Sequence, residues 1–218
     1  MLNNVLVGIA AIIIGYLAGS VSFSRIVTSL VSPGLDLVDT LVPVEGTEEE
    51  IPMNAVSATS VRFKLGPRYG CLSSFLDMVK VAIPVAAFKY LFPGTQIEYL
   101  AATAGLIGHN WPIYYKFQGG YGHSAIYGAL FVLDWTALPV TFLGTGLLYM
   151  LVKQVHFAAA GGVLLLIPWF YYRGLGGLAL FFALVSSAAY IIKVLPDFRS
   201  VRELKNQKSA AGEDTESK

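Results

Sequence analysis

Seven long apolar stretches run along this chain, and polar segments lie between them. The stretches lie at about residues 3–23, 75–92, 97–115, 123–134, 137–152, 157–172 and 176–195. An apolar stretch of about 20 residues can cross a bilayer as a helix, because a helix satisfies its own backbone hydrogen bonds where lipid offers none. The pattern therefore predicts an all-α integral membrane protein, a bundle of about seven transmembrane helices.

The basic residues predict how this bundle is oriented. An odd number of spans places the two termini on opposite sides of the membrane, and most basic residues then share a side with the C-terminus. These residues are Arg62, Lys64, Arg68, Lys116, Lys153, Arg199, Arg202, Lys205 and Lys208. The other side keeps Arg173 and, near a helix end, Lys89. The positive-inside rule therefore predicts the N-terminus out and the C-terminus in, for a multi-pass protein of the inner (plasma) membrane with a cytoplasmic active face.

The polar segments divide the chain into one integral domain and a tail. Residues 1–198 form the predicted membrane domain, which includes a cytoplasmic loop at about 24–73. An acidic run at 45–50 is expected to be a solvated part of that loop. Residues 199–218 are polar and are predicted to form a disordered cytoplasmic tail.

Composition supports the membrane class and narrows the partners. Of the 218 residues, 55% are hydrophobic and 13% are charged, and the net charge is +1. A soluble domain carries about 25% charged residues, and a nucleic-acid-binding protein is usually much more basic. We therefore expect membrane lipid, and no nucleic acid, as a partner. The single Cys71 excludes an internal disulfide, and without a Cys/His cluster we expect no metal.

Two groups of polar residues fall inside or at the ends of apolar stretches. Asp77 and Lys80 lie three residues apart on one helical face, as either a structural ion pair or part of a site. His109 and Asn110 end the third stretch, where His109 is either a proton carrier or a packed histidine.

A glycine-rich turn and a hydroxyl-rich stretch could bind an anion. The turn contains Gly119, Gly120 and Gly122 and precedes His123 and Ser124 at the start of the fourth stretch. Backbone N–H groups of such a turn can converge on a phosphate, although a plain interhelical turn has the same pattern. The hydroxyl- and base-rich stretch contains Asn54, Ser57, Thr59, Ser60, Arg62 and Lys64. Hydroxyls and cations together suit a phosphate, but an ordinary cytoplasmic loop is the alternative.

Five short segments, in order, resemble motifs of the bacterial integral-membrane glycerol-3-phosphate acyltransferases of the PlsY type, which use acyl phosphate. They are Gly15–Ser20, Ala58–Gly66, Leu76–Lys80, Gly108–Pro112 and Phe117–Gly122. The resemblance implies a seven-helix fold, and transfer of an acyl group from acyl phosphate to glycerol 3-phosphate to give lysophosphatidic acid. It also implies that no cofactor is needed.

The chain departs from the family pattern at several motif positions. Tyr121 stands where the glycine-rich loop of the family has a lysine, and Asp197 stands where its closing motif has a histidine. Asn54 belongs to a segment that lacks the serine of the family motif, and residues 41–51 are approximately an insertion.

Two classes of function therefore stay open: an acyltransferase of phospholipid synthesis, and a catalytically inactive relative that binds a lipid or phospho-ligand or stabilises a membrane partner. For the enzyme, we expect Lys80, His109 and Ser124 to be catalytic. We expect the substrate phosphates to contact Asn54, Ser57, Thr59, Ser60, Arg62, Lys64, Asp77, Asn110, Gly119, Gly120, Gly122 and His123. These residues are expected to meet in one anion-binding pocket at the inner leaflet.

Overall fold

The computed structural model describes residues 2–44, 49–153 and 155–216 of the chain. The acidic residues at 45–48 lie outside the described residues. Within these ranges ten α-helices, one short 3₁₀ turn (Ile113–Tyr115) and one two-stranded sheet make up the fold. The helices are α1 (Leu2–Ser20), α2 (Phe23–Val31), α3 (Ala58–Leu65), α4 (Pro67–Leu91), α5 (Ile97–Asn110), α6 (His123–Leu133), α7 (Ala137–Val152), α8 (Val155–Leu164), α9 (Leu166–Tyr172) and α10 (Gly177–Glu216). The strands are β1 (Leu41–Pro43) and β2 (Glu50–Pro52).

The predicted all-α membrane class is confirmed, and each of the seven apolar stretches coincides with one or two helices. Three segments among the described residues are long and apolar enough to cross a bilayer, namely Asn4–Val31, Pro67–Leu91 and Gly177–Leu204. Shorter apolar helices occupy His123–Leu133, Ala137–Val152 and Phe157–Tyr172. The count of seven spans and the orientation of the termini therefore stay predictions.

The segment 24–73, predicted as a cytoplasmic loop, contains most of α2, both strands, α3 and the start of α4 among its described residues. Ser22 caps α2 by accepting a hydrogen bond from the Arg25 backbone N–H, and Ser57 caps α3 with a reciprocal bond to Ser60. Such caps satisfy backbone donors that a helix start leaves open. Pro67 then opens α4, eight residues before the apolar stretch begins.

The C-terminal segment also differs from its prediction, because the backbone of α10 is helical as far as Glu216. Alanine, lysine and glutamate are common in this segment, and all three have high helix propensity.

Small residues allow α1 and α5 to pack with their backbones in contact. A Cβ placed on Gly15 would lie 2.4 Å from the carbonyl oxygen of Ala101, and one on Gly19 would lie 2.0 Å from that of Gly105. Gly108 approaches the backbone of Tyr16 in the same way. This close packing fixes the end of α5, where His109 and Asn110 lie.

The two strands form a hairpin that folds back on the helices. Leu41 pairs with Pro52, Val42 with Ile51 and Pro43 with Glu50. On each strand only the central residue is buried, so one face of the hairpin packs inward. The inward face belongs to the main hydrophobic core, and β2 packs against α10.

Candidate functional site

A cavity of about 480 Å³ lies where the hairpin, α3, α4, α5, α6, α7, α8 and α10 converge. It joins the three regions that the sequence analysis expected to meet: the hydroxyl-rich stretch, α4 and the turn before α6. The predicted site residues in its wall are Ser57, Thr59, Arg62, Asp77, His109, Gly122, His123 and Ser124.

Seven predicted site residues lie outside this wall: Asn54, Ser60, Lys64, Lys80, Asn110, Gly119 and Gly120. Several have structural contacts instead. Ser60 donates from its hydroxyl to the carbonyl of Ala55 and accepts the backbone N–H of Ser57. The exposed Lys64 donates to the carbonyl of Asp36, 2.6 Å away. We therefore remove Ser60 and Lys64 from the candidate phosphate ligands.

Asp77 and Lys80 form a buried ion pair behind the cavity. The Lys80 Nζ lies 2.7 Å from Asp77 Oδ1 and also donates to the carbonyl of Val21, which ties α4 to the end of α1. The Asp77 side chain is 2% exposed and the Lys80 side chain is 6% exposed. Asp77 belongs to the cavity wall but Lys80 does not, so the ammonium group is linked to the cavity through Asp77.

His109 faces Asp77 across a gap. Its Nδ1 atom lies 3.9 Å from Asp77 Oδ1, which is beyond hydrogen-bond distance. This Nδ1 atom has no hydrogen-bond partner among the described residues. Movement of less than 1 Å would join the two groups, so the imidazole is placed where it can be oriented by the carboxylate.

The glycine-rich turn packs against the end of α5 and does not form an open anion cradle. A Cβ on Gly120 would lie 2.4 Å from His109 Nε2, and one on Gly119 would lie 2.1 Å from the His109 carbonyl oxygen. The N–H of Gly120 donates to that same carbonyl. Gly122 similarly contacts Asn110, whose side-chain amide is buried without a hydrogen-bond partner in the described part of the chain. The glycines therefore allow the turn to press on His109 and Asn110.

Two cavity residues that the site prediction missed, Tyr121 and Asp197, are bonded to each other. The Tyr121 hydroxyl donates to Asp197 Oδ2, and Oδ1 accepts from the backbone N–H and the side-chain amide of Asn54 at 3.2 and 2.6 Å. Burial raises the pKa of the Tyr121 phenol well above its usual value, and the negative charge of Asp197 raises that pKa further. The phenol is therefore a permanent donor that holds the carboxylate in place.

The start of α6 supplies further polar groups to the cavity. The hydroxyls of Ser124 and Ser74 lie 2.9 Å apart, and the His123 ring packs between Tyr127 and Tyr190. Among the described residues of the wall, Arg62 carries the positive charge, beside the hydroxyls of α3. No group of three His, Cys, Asp or Glu side chains in the described ranges is arranged to hold a metal ion.

Comparisons with known proteins agree with the motif resemblance. The glycerol-3-phosphate acyltransferase family profile matches residues 47–203. Glycerol-3-phosphate acyltransferase 1 of Oceanobacillus iheyensis is 28% identical over 205 residues, which cover 88% of this chain and 90% of that protein. The enzyme of Myxococcus xanthus is 31% identical over 71% of this chain and 73% of its own length.

The fold is similar to that of a solved membrane enzyme. The crystal structure of PlsY, an integral membrane glycerol 3-phosphate acyltransferase in its glycerol 3-phosphate form, matches with a TM-score of 0.74 and 25% identity over 90% of this chain and 92% of that one. Profile, relatives and fold agree, and the chain belongs to the glycerol-3-phosphate acyltransferase family.

Proposed function

We propose that this protein transfers an acyl group from acyl phosphate to glycerol 3-phosphate and so makes lysophosphatidic acid for phospholipid synthesis. The observation that carries the proposal is the cavity itself. Its wall contains Arg62 and the hydroxyls of Ser57 and Thr59. The same wall contains apolar side chains of the hairpin, α8 and α10. A phosphate needs donors and positive charge, whereas an acyl chain needs apolar contacts, so both substrates suit this one space.

The membrane placement in this proposal keeps the predicted orientation. Arg62, which faces the cavity, belongs to the basic residues that the positive-inside rule assigns to the cytoplasm. We infer a plasma-membrane protein with its N-terminus outside and with the cavity open to cytoplasmic glycerol 3-phosphate.

In the proposed reaction, the acceptor hydroxyl oxygen bonds to the acyl carbon, the bond from that carbon to the phosphate oxygen breaks, and the hydroxyl proton ends on the departing inorganic phosphate. Arg62 and the hydroxyls of α3 would hold a substrate phosphate, and Ser124 would donate to oxygen atoms that gain charge in the transition state. His109, oriented by Asp77, would carry the proton between the two substrates. No metal or nucleotide takes part.

The test is product formation by purified protein in detergent, with radiolabelled glycerol 3-phosphate and acyl phosphates of several chain lengths. We expect labelled lysophosphatidic acid and an equal amount of inorganic phosphate. Folded protein that forms no product above a blank lacking protein would refute the proposal.

Two cations on α3 provide a matched pair of variants. Arg62→Ala removes a charge from the cavity wall, and Lys64→Ala removes one that lies outside it. Loss of a charge-assisted phosphate contact corresponds to about a 10- to 150-fold weaker interaction, so we expect Arg62→Ala to raise the KM for glycerol 3-phosphate by at least about tenfold. Lys64→Ala should leave this KM within about twofold of wild type, because an exposed lysine pairs weakly. Equal KM values for the two variants would show that Arg62 does not bind the phosphate.

A further inference from the structure

The cavity wall contains both apolar and polar side chains, and the hairpin supplies many of the apolar ones. Val42, Val44 and Ile51 line the cavity together with Phe157 of α8 and Val201 of α10. All five residues are at least nine-tenths buried and belong to one hydrophobic core. Polar groups of α3, α4 and α6 line the same space.

We propose that the β1–β2 hairpin is the wall against which the first methylene groups of the acyl chain lie, and that this contact makes the protein prefer long-chain acyl phosphates to acetyl phosphate. This inference rests on the proposed acyl transfer, and it assigns a role to a segment that is approximately an insertion between two motifs.

The strand register explains how so short a hairpin can present an apolar face. Val42 and Ile51 are directly paired across the strands and each is 7% exposed, whereas the neighbouring Leu41 is 53% exposed. Because side chains alternate between the two faces of a strand, the paired Val42 and Ile51 point to the cavity side together. Leu41 lies on the opposite side and provides a natural control position.

The hairpin is fixed in position relative to Asp197 and Tyr121 of the cavity wall. Its base is closed by a hydrogen bond from the Met53 N–H to the Thr40 carbonyl, and the next residue, Asn54, binds Asp197 through both its backbone and its side chain. The Asp197 carboxylate is held in turn by Tyr121. A wall anchored in this way stays in one place while the first methylene groups of the chain lie against it.

The volume limits how much of the chain lies under the hairpin. A space of about 480 Å³ is within the usual range for a pocket that encloses one small ligand, and here it must also receive the phosphate and glycerol groups. Only the carbons next to the carbonyl fit beneath the hairpin. Each buried methylene group contributes about fourfold in affinity, so contact with several of them discriminates strongly between long chains and acetyl phosphate.

The first experiment compares kcat/KM for palmitoyl phosphate and acetyl phosphate in Val42→Trp, Ile51→Ala and Leu41→Trp. The indole at position 42 fills the space that the chain needs, and Ile51→Ala removes apolar contact with the chain. We expect the palmitoyl-to-acetyl ratio to fall by at least about tenfold in Val42→Trp and about fourfold in Ile51→Ala. It should stay within about twofold of wild type in Leu41→Trp.

An unchanged ratio in folded Ile51→Ala, or an equal fall in Leu41→Trp, would overturn the proposal. If Val42→Trp does not fold, Ile51→Ala decides alone, because it only shortens a side chain.

A second readout does not depend on turnover. Binding of lysophosphatidic acid with a radiolabelled palmitoyl chain is measured by scintillation proximity for Ile51→Ala, Leu41→Trp and wild type. We expect the Kd to rise by about fourfold in Ile51→Ala and to stay within about twofold of wild type in Leu41→Trp. Binding with this selectivity but without turnover in wild type would refute the proposed function and retain the acyl wall, whereas turnover with an unchanged Kd in Ile51→Ala would refute the wall.

Discussion

Removal of the Lys80 charge should destabilise the whole bundle, because it leaves a buried carboxylate without its partner. The variant is Lys80→Met, which keeps most of the length of the side chain. The Lys80 Nζ lies 2.7 Å from Asp77 Oδ1, and the two side chains are 6% and 2% exposed. At an effective dielectric constant of about 20 this distance corresponds to an attraction of about 6 kcal/mol, most of which offsets the cost of removing both ions from water.

The net loss is expected to be smaller than the attraction but still large. Breaking a buried pair by removing one member costs about 3–5 kcal/mol, since the remaining charge is left uncompensated. Lys80→Met also removes the hydrogen bond to the Val21 carbonyl that joins α4 to the end of α1. We therefore expect the free energy of unfolding to fall by about 3–5 kcal/mol.

The measurement is unfolding by sodium dodecyl sulfate in dodecylmaltoside micelles, followed by circular dichroism. The matched control is the double variant Asp77→Asn/Lys80→Met, which leaves no buried charge and should recover at least about 2 kcal/mol relative to Lys80→Met. A loss below about 1 kcal/mol in Lys80→Met, or no recovery in the double variant, would refute the account of this pair. Turnover of the double variant adds a separate result: if stability returns and activity does not, the charged pair of Asp77 and Lys80 is needed for the reaction itself.

Two further predictions concern the turn before α6. Tyr121→Phe removes a donor to a buried carboxylate, so the free energy of unfolding at pH 8 should fall by about 1.5–3 kcal/mol, measured by the same titration. The raised pKa of Tyr121 also predicts how the stability difference between wild type and Tyr121→Phe depends on pH. The difference should be complete below pH about 10 and shrink above it, where the phenol ionises in the unfolded chain but not in the folded one. A stability difference that stays constant up to pH about 11 would contradict this. Gly120→Ala places a Cβ 2.4 Å from His109 Nε2, so the ring must move, and kcat should fall at least about tenfold while the KM for glycerol 3-phosphate stays within about twofold. A raised KM with unchanged kcat would instead indicate that Gly120 lies against the phosphate.

The long apolar helices of this fold could be predicted from the chain because apolar length is a strong signal in membrane proteins, whereas α2 and α3 could not. Stretches at 123–134 and 137–152 match α6 and α7 within one residue at each end. The hairpin could not be predicted in the same way. Each of its strands is three residues long and contributes one buried residue, which is too short for an alternating pattern to stand out from a polar loop.

The site could be predicted in its location but not in its contacts. Residue types and motif order were sufficient to predict that α3, α4 and the turn before α6 meet, and all three line one cavity. The direction in which each side chain points could not be predicted. Lys80 and Lys64 are residue types that bind phosphate, yet their ammonium groups bind Asp77 and a backbone carbonyl, respectively. Which way a long side chain turns depends on the packing of neighbouring elements, which the chain pattern does not contain.

The departures from the family pattern at Tyr121 and Asp197 are interdependent. They stand where the family motifs have a lysine and a histidine, but in the fold both join Asn54 in one hydrogen-bonded cluster in and beside the cavity wall. A buried carboxylate at position 197 is stable only with donors around it, and Tyr121 and Asn54 supply three. The phenol donates without adding charge, so positive charge in the described wall comes from Arg62 on α3. The turn before α6 consequently holds α10 and the base of the hairpin in position, and we propose that the anion binds at α3.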